Sequence, residues 1–410
     1  MIYKVSATHK NINGSICLPA SKSISNRALI ISALCYSPYP IRNLSDSDDT
    51  KVLEAALFSN SNKFDIGHAG TAMRFLTAFL AKIVGEWEIT GSERMQQRPI
   101  KILVDALIQL GAKIEYLKDD GYPPLKIFGS HLKGQKLELD GSISSQYITA
   151  LLLIAPTIEG GLTLELKGDI TSRSYIKLTL ELMAKFGIQY QWNGNTIVVP
   201  EQHYFPQDFT IEADWSGASY WYQIMALADE GEILLENLEL KSLQGDANIA
   251  EWFVPFGVES VQKENGVLLK KTKNYHPQKL LLNFIENPDL AQTMACLCVA
   301  KGIPFHFSGL KTLKIKETDR IAALQNELAK FGAQLSEPAD GELAWDGKLD
   351  MEMKDDLPLI NTYHDHRMAL AFAPMALAEL PMRIDDPMVI TKSYPNFWED
   401  LKKVGFSITE

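Results

Sequence analysis

The chain has 410 residues, a formal net charge of −11, 46% hydrophobic and 22% charged side chains. That composition suits a globular enzyme, lacks the broad positive surface that general nucleic-acid binding needs, and contains no apolar run long enough to span a bilayer. The opening Met1-Ile2-Tyr3-Lys4-Val5 carries no apolar stretch ahead of a small-residue cleavage site, so the expected compartment is the cytoplasm.

In chain order, the first informative segment is Leu18-Pro19-Ala20-Ser21-Lys22-Ser23-Ile24-Ser25-Asn26-Arg27, where two cations and three hydroxyls open an otherwise apolar helix. Free N–H groups at a helix start, the positive end of the helix dipole, and Lys and Arg side chains together make an anion site. The plainer reading is a Ser N-cap with solvated charges. A kinase-type phosphate loop does not fit Ser21-Lys22-Ser23, because the glycine-rich run is missing. An amphipathic helix follows over 50–58 and runs through Ser59-Asn60-Ser61-Asn62 into Phe64-Asp65-Ile66 without a glycine stop.

Apolar runs with a polar opening recur at Gly70-Thr71-Ala72-Met73-Arg74, Ser144-Ser145-Gln146-Tyr147, Ser216-Gly217-Ala218-Ser219, Pro288-Asp289-Leu290-Ala291 and Asp365-His366-Arg367-Met368. Amphipathic helices interleave with them and end at Gly111, Gly187, Gly257, Gly332 and Gly405, each leading into an extended segment. These stops lie roughly 70–76 residues apart and the later buried-helix starts roughly 72–77 apart, a long internal period. The first interval, Ser25 to Thr71, is only about 46, so the first repeat is expected to lack about 27 residues near 58–66. Segments 163–166, 196–199, 232–235 and 266–269 read as strands. Two helices and several strands per repeat predict an α/β fold in two three-repeat domains, with a boundary after Phe209-Thr210-Ile211-Glu212.

Cys17, Cys35, Cys296 and Cys298 read as reduced and structural. No metal site is expected: Cys296 and Cys298 lie two apart on a helix, and His364 and His366 flank Asp365 without third and fourth ligands at a recognised spacing. Lys22, Arg27, Arg74, Arg94, Arg98, Lys314, Lys316, Arg320, Arg367 and Lys392 fall mostly at the edges of predicted elements, enough to hold two or more anionic groups.

Six segments, taken in order, then carry a resemblance. They are 18–27, Gly67-His68-Ala69-Gly70-Thr71-Ala72-Met73-Arg74, Arg94-Met95-Gln96-Gln97-Arg98-Pro99-Ile100, Asp140-Gly141-Ser142-Ile143-Ser144-Ser145-Gln146, Lys314-Ile315-Lys316-Glu317-Thr318-Asp319-Arg320 and Asp365-His366-Arg367-Met368-Ala369. End to end, the chain resembles the 5-enolpyruvylshikimate-3-phosphate synthase family. The resemblance implies a two-domain inside-out α/β barrel of six βαβαββ repeats, the first one truncated. It places 20–212 on the shikimate 3-phosphate side, 1–19 plus 213–410 in the second domain, and the active site in the cleft between them. The implied reaction transfers the enolpyruvyl group of phosphoenolpyruvate to the 5-hydroxyl of shikimate 3-phosphate and releases phosphate. No cofactor is implied, the partners are those two small molecules, and a monomer is expected.

Both substrates are anions, so bringing them together needs surrounding cations. One hydroxyl must lose a proton while the methylene carbon of phosphoenolpyruvate gains one, which calls for a base and an acid. Carried over residue by residue, the resemblance makes Asp289 the base, Glu317 the proton donor and Lys22 a stabiliser of developing charge. It assigns Lys22, Ser23, Arg27, Ser144, Ser145, Gln146, Ser172, Tyr175, Asp289, Thr312 and Lys316 to shikimate 3-phosphate. It assigns Lys22, His68, Gly70, Arg98, Gln146, Arg320, Arg367 and Lys392 to phosphoenolpyruvate. The plainer readings are a helix-start carboxylate for Asp289 and a solvated charged helix start for 316–320.

The chain departs from the family pattern at His68 for Asn, Phe75 for Pro, Thr312 for Asn, and in its short first repeat. His68 adds a titratable group beside the phosphoenolpyruvate loop, so the expected affinity for that substrate depends on pH near neutrality. The alternatives are the sister enolpyruvyl transferase acting on UDP-N-acetylglucosamine and a catalytically dead binding protein of the same fold. The sister enzyme usually carries a Cys in a mobile loop, and here no Cys lies between Cys35 and Cys296. Domain closure is expected to accompany turnover, with shikimate 3-phosphate binding first.

Overall fold

A computed structural model describes residues 1–273, 277–352 and 354–410. It is a mixed α/β structure that divides into two compact units. The inserted unit is Ala20–Ile211, and the terminal unit joins Met1–Pro19 to Glu212–Glu410.

In the inserted unit, one sheet runs in the order Lys63–Asp65, Gly85–Thr90, Leu125–Gly129, Lys113–Tyr116, and a second runs Gln191–Asn193, Thr196–Val199, Leu162–Lys167, Lys136–Asp140. The third is only a parallel pair, Ile41–Arg42 with Phe209–Thr210. Alternation sets the strand faces: Leu162, Leu164 and Leu166 are buried, while Thr163 and Glu165 between them are half-buried. The helices follow a different logic. From Tyr147 to Ile154 every residue of the helix Ser145–Ile154 is buried, which is why it shows an unbroken apolar run instead of a stripe. Leu125–Gly129 packs so tightly on the end of the helix Gly70–Lys82 that a Cβ on Gly129 would meet the Ile83 carbonyl oxygen at 1.6 Å.

In the terminal unit, the chain's two ends share one sheet. Ile2–Ala7 lies between Met382–Asp385 and Phe406–Thr409, antiparallel to both. Asn11–Cys17 pairs in parallel with Glu230–Glu236, whose other neighbour is Gly266–Lys271. A three-stranded sheet is formed by Leu280–Asn283, Phe305–Ser308 and Leu343–Trp345. The core gathers around the helices Trp215–Leu227, Ala291–Lys301 and His366–Phe372. Trp215, Trp221 and Tyr222 are fully enclosed there, each contributing on the order of 1.5–3 kcal/mol of burial. Glycine ends several helices as the spacing predicts, with Gly111, Gly187, Gly257, Gly332 and Gly405 all at positive φ. Cys296 and Cys298 are both buried, because their helix is enclosed on every side. Among the described residues no helix is long and apolar enough to cross a membrane, and no cluster of His, Cys, Asp and Glu is arranged to hold a metal.

Candidate active site

In the inserted unit the starts of four helices come together through side chains at equal depth. Arg27, in the helix Lys22–Leu34, donates from Nε to Thr179 Oγ1 at 2.8 Å, from Nη1 to the Ser23 carbonyl at 2.8 Å, and from Nη2 to Thr149 Oγ1 at 3.4 Å and the Tyr175 carbonyl at 3.5 Å. Thr149 belongs to Ser145–Ile154, and Thr179 and Tyr175 to Arg173–Lys185. Gln146 Nε2 donates to Thr71 Oγ1 at 3.3 Å, linking in the start of Gly70–Lys82. Parallel helices so arranged turn their free N–H groups and positive dipole ends to one side.

Ser21 caps the first of these helices, its Oγ accepting from Ile24 N at 3.4 Å, which leaves Lys22 and Ser23 in the opening turn. Lys22 Nζ lies 3.5 Å from Asp49 Oδ2, a buried carboxylate that no motif marks. Ser144 caps the next helix by accepting from Gln146 N, and Ser145 is that helix's first residue. Thr171 donates to the Ser142 and Ile143 carbonyls, so the loop carrying Ser144 and Ser145 is tied to the one carrying Ser172. Ser172 sits in the left-handed region at φ 53°, a conformation a non-glycine residue holds only under constraint. Arg98 lies against Gly70, with Nη1 2.7 Å from where a Cβ would be. His68, exposed on the same loop, shares a 2.9 Å hydrogen bond between Nδ1 and Ser92 Oγ, the cap of the turn Glu93–Gln96 that precedes Arg98.

Arg27 is buried among neutral acceptors, and burial pushes its guanidinium down to about 10, still charged at neutral pH. Arg74 is also buried, donating to the Gly70 and Pro99 carbonyls beneath the Tyr147 ring, and thus braces the loop.

In the terminal unit the sequence-predicted cations and carboxylates meet in one network. Arg320, 2% exposed, donates from Nε to Asp365 Oδ2 at 2.6 Å, from Nη1 to Asp289 Oδ1 at 2.9 Å and from Nη2 to Glu317 Oε2 at 3.0 Å. Arg367 Nη2 holds Asp289 Oδ2 at 3.0 Å, Lys392 Nζ holds Glu317 Oε1 at 2.7 Å, and Lys316 Nζ stands 3.9 Å from Asp289 Oδ1. Asp289 projects from the short turn Pro288–Leu290 that leads into Ala291–Lys301. Burial pushes its carboxyl up, but Arg367, Lys316 and Arg320 together outweigh that and hold it well below the usual carboxylate range. Burial opposes the charge on Arg320, yet Asp365, Glu317 and Asp289 raise its pKa above the ordinary value.

The segment 316–320 is therefore not a solvated helix start. Asp319 caps the helix Arg320–Ala329, and Arg320 points into the protein. Thr312 is half-buried on the turn Lys311–Ile315. Lys314 belongs elsewhere, in a surface pair with Glu337 at 2.6 Å and Asp340 at 2.9 Å. Sequence reasoning missed Asp365 as a member of the network, although it opens the segment 365–369. It is fully buried, and its Oδ1 also accepts from Arg367 N at 3.0 Å. Tyr220, whose hydroxyl lies 3.3 Å from Arg367 Nη1, was missed as well.

The chain matches the family model described as EPSP synthase (3-phosphoshikimate 1-carboxyvinyltransferase) over residues 6–59 and 53–401. It is 50% identical over 409 residues to the 3-phosphoshikimate 1-carboxyvinyltransferase of Bacteroides fragilis (strain YCH46), covering 100% of this chain and 99% of that one. Against the protein of the same name from Aliivibrio fischeri (strain ATCC 700601 / ES114) the identity is 37% over 424 residues, with 96% and 97% coverage. In fold it is similar to a solved EPSP synthase from Acinetobacter baumannii, with TM-score 0.79 at 18% identity and both chains fully covered. The enolpyruvyl transferase NikO from Streptomyces tendae gives TM-score 0.74 at 16% identity, covering 100% of this chain and 98% of that one. Family model and full-length relatives agree, and the chain belongs to the EPSP synthase family.

Proposed function

We infer that this chain transfers the enolpyruvyl group of phosphoenolpyruvate to the 5-hydroxyl of shikimate 3-phosphate and releases phosphate, with the acid–base chemistry carried by Asp289 and Glu317. The observation that carries the assignment of roles is the terminal-unit network, in which Arg320 and Arg367 both hold Asp289 while Arg320 and Lys392 both hold Glu317. Such a network suits an anionic substrate bearing carboxylate and phosphate, since guanidinium forks match both groups. In this reading Asp289 takes the 5-hydroxyl proton as oxygen attacks the substituted vinyl carbon. Glu317 delivers a proton to the methylene carbon, giving a tetrahedral intermediate. Loss of phosphate together with a methyl proton then restores the vinyl group.

Asp289 held well below the usual range is a weak base. An anion docking on Arg320 and Arg367 brings negative charge beside it and raises its basicity, so binding of phosphoenolpyruvate would arm the base. For the rest, Arg320, Arg367 and Lys392 are proposed to hold phosphoenolpyruvate in the terminal unit, and Lys22, His68, Gly70, Arg98 and Gln146 to do so in the inserted unit. Lys22, Ser23, Arg27, Ser144, Ser145, Gln146, Ser172 and Tyr175, with Asp289, Thr312 and Lys316, are proposed for shikimate 3-phosphate. What supports Arg27 is its burial without a carboxylate partner among the described residues, a setting that favours an anionic ligand.

The inside-out barrel of six repeats with a truncated first member is the proposed description of the fold; three sheets in each unit, one reduced to two strands, favour it. The cytoplasm is the proposed compartment, which suits four cysteines carried as thiols, and a monomer is the proposed state, to be checked by light scattering. The function is tested by mixing the protein with phosphoenolpyruvate and either shikimate 3-phosphate or UDP-N-acetylglucosamine and measuring phosphate. Release with shikimate 3-phosphate alone is expected, falling about a hundredfold or more in Asp289→Asn and Glu317→Gln. Release only with the UDP-sugar, or with neither, would overturn it.

A further inference from the structure

Asp246 is a buried carboxylate, 5% exposed, on the short helix Gly245–Asn248, and the chemistry above gives it no role. Its Oδ2 accepts a hydrogen bond from Ser216 Oγ at 2.5 Å, and its Oδ1 accepts one from Asn287 Nδ2 at 3.1 Å. Asn287 is itself enclosed, and it immediately precedes the turn Pro288–Leu290 that presents Asp289. Its backbone is held in that turn, accepting from Leu290 N at 3.1 Å and donating to the Phe284 carbonyl at 3.1 Å, while its side chain makes no cap bond there and reaches Asp246. Arg320 and Arg367 thus fix the carboxylate of Asp289, and Asp246, through Asn287, fixes the backbone that carries it.

We propose that Asp246 is a positioning residue for Asp289, holding the Asn287–Asp289 turn in register with the two guanidiniums and placing a second negative charge near the base. The proposal rests on the reading of Asp289 as that base. Burial pushes the Asp246 carboxyl up and the charge on Asp289 adds to this, while Ser216, Arg367 and Asn287 act in the other direction. The helix Trp215–Leu227, which supplies Ser216, has only tyrosines as ionisable groups, with Asp214 at its cap. The helix Ile249–Trp252 adds only the exposed Glu251. The dominant charges acting on Asp246 are therefore Asp289 and Arg367.

Phosphate release by the full-length Asp246→Asn protein is compared with wild type across about pH 4 to 9. The expected result is a kcat about tenfold lower with KM for both substrates within about twofold, and an acidic limb moved to lower pH. The sign follows from charge: removing a nearby negative group lets Asp289 stay ionised further into acid. Ser216→Ala deletes a donor to Asp246 and favours the proton on it, so its limb moves the same way by a smaller amount. Wild-type profiles in both variants would overturn the proposal. So would a lowered kcat with an unmoved limb, which marks a role in folding alone. If Asp246→Asn does not accumulate as folded protein, Ser216→Ala decides by itself. Asp289→Asn separates the two layers: turnover surviving in it overturns the reading of Asp289 as base, whereas turnover lost there but unchanged in Asp246→Asn overturns only the role of Asp246.

Discussion

A methyl group at Gly70 would sit 2.7 Å from Arg98 Nη1 and 3.1 Å from Arg98 Cζ. Gly70 is the first residue of a helix and not at positive φ, so alanine fits its backbone and the flexible guanidinium is what must move. Gly70→Ala is expected to keep the melting temperature within a few degrees while raising KM for phosphoenolpyruvate about tenfold, with a smaller change in kcat. Unchanged KM would detach Arg98 from that substrate. Asp365 is the converse case, since Arg320 Nε and the Arg367 amide both depend on it. Asp365→Ala is expected to cost about 2–4 kcal/mol of stability in urea titrations, less than a lone buried pair because Arg320 keeps two other carboxylates. The cations of this site were legible because they open helices within recognisable segments. Asp289 and Glu317 were legible for the same reason, but two further carboxylates were not: Asp365 lies 45 residues from Arg320 and Asp246 lies 41 from Asn287, and nothing local marks such pairings.

The helices enclosed on every side were legible as elements from their apolar runs and polar openings, and the strands Thr196–Val199 and Leu162–Lys167 from alternation and punctuation. What escaped was close approach between elements. Gly129 has an ordinary φ and ends an unremarkable strand, yet its α-hydrogen faces the Ile83 carbonyl oxygen, at 1.6 Å from an added Cβ, with the Leu80 oxygen at 2.9 Å. Both obstacles are main-chain atoms at the end of the helix Gly70–Lys82, so neither can swing aside. Gly129→Ala is therefore expected to destabilise the inserted unit by about 3 kcal/mol or more, as overpacking against rigid backbone does. Gly168 is the comparison, with open space around its Cβ position and φ +70°; alanine there should cost only about 1–2 kcal/mol of left-handed strain. Equal melting temperatures for the two variants would show that the helix end yields.

For the molecule as a whole, the two units answer acid differently at their buried arginines. The inserted unit satisfies Arg27 with neutral acceptors that do not titrate below neutrality, whereas the terminal unit sets Arg320, Arg367, Lys392 and Lys316 against Asp289, Glu317 and Asp365. Asp289 is depressed in the folded state despite burial, through Arg367, Lys316 and Arg320. A depressed carboxylate contributes stability that is complete above its unfolded pKa, about 3.9, and that is lost as pH falls toward the folded value. Asp289→Asn removes that contribution, so the gap in unfolding free energy between wild type and variant should be about 2–4 kcal/mol at neutral pH and should narrow below about pH 4. Tryptophan reads the right unit. Trp215, Trp221, Trp252, Trp345 and Trp398 belong to the terminal unit, against Trp87 and Trp192 in the inserted one, and Trp215 and Trp221 are fully buried. Two units need not unfold together, so the fluorescence transition in urea is fitted for its own phase. A gap that stays constant from neutral pH into acid would mean that Asp289 feels no net stabilisation from the guanidiniums around it. The charge balance drawn for the network would then be wrong, even with every distance in it right.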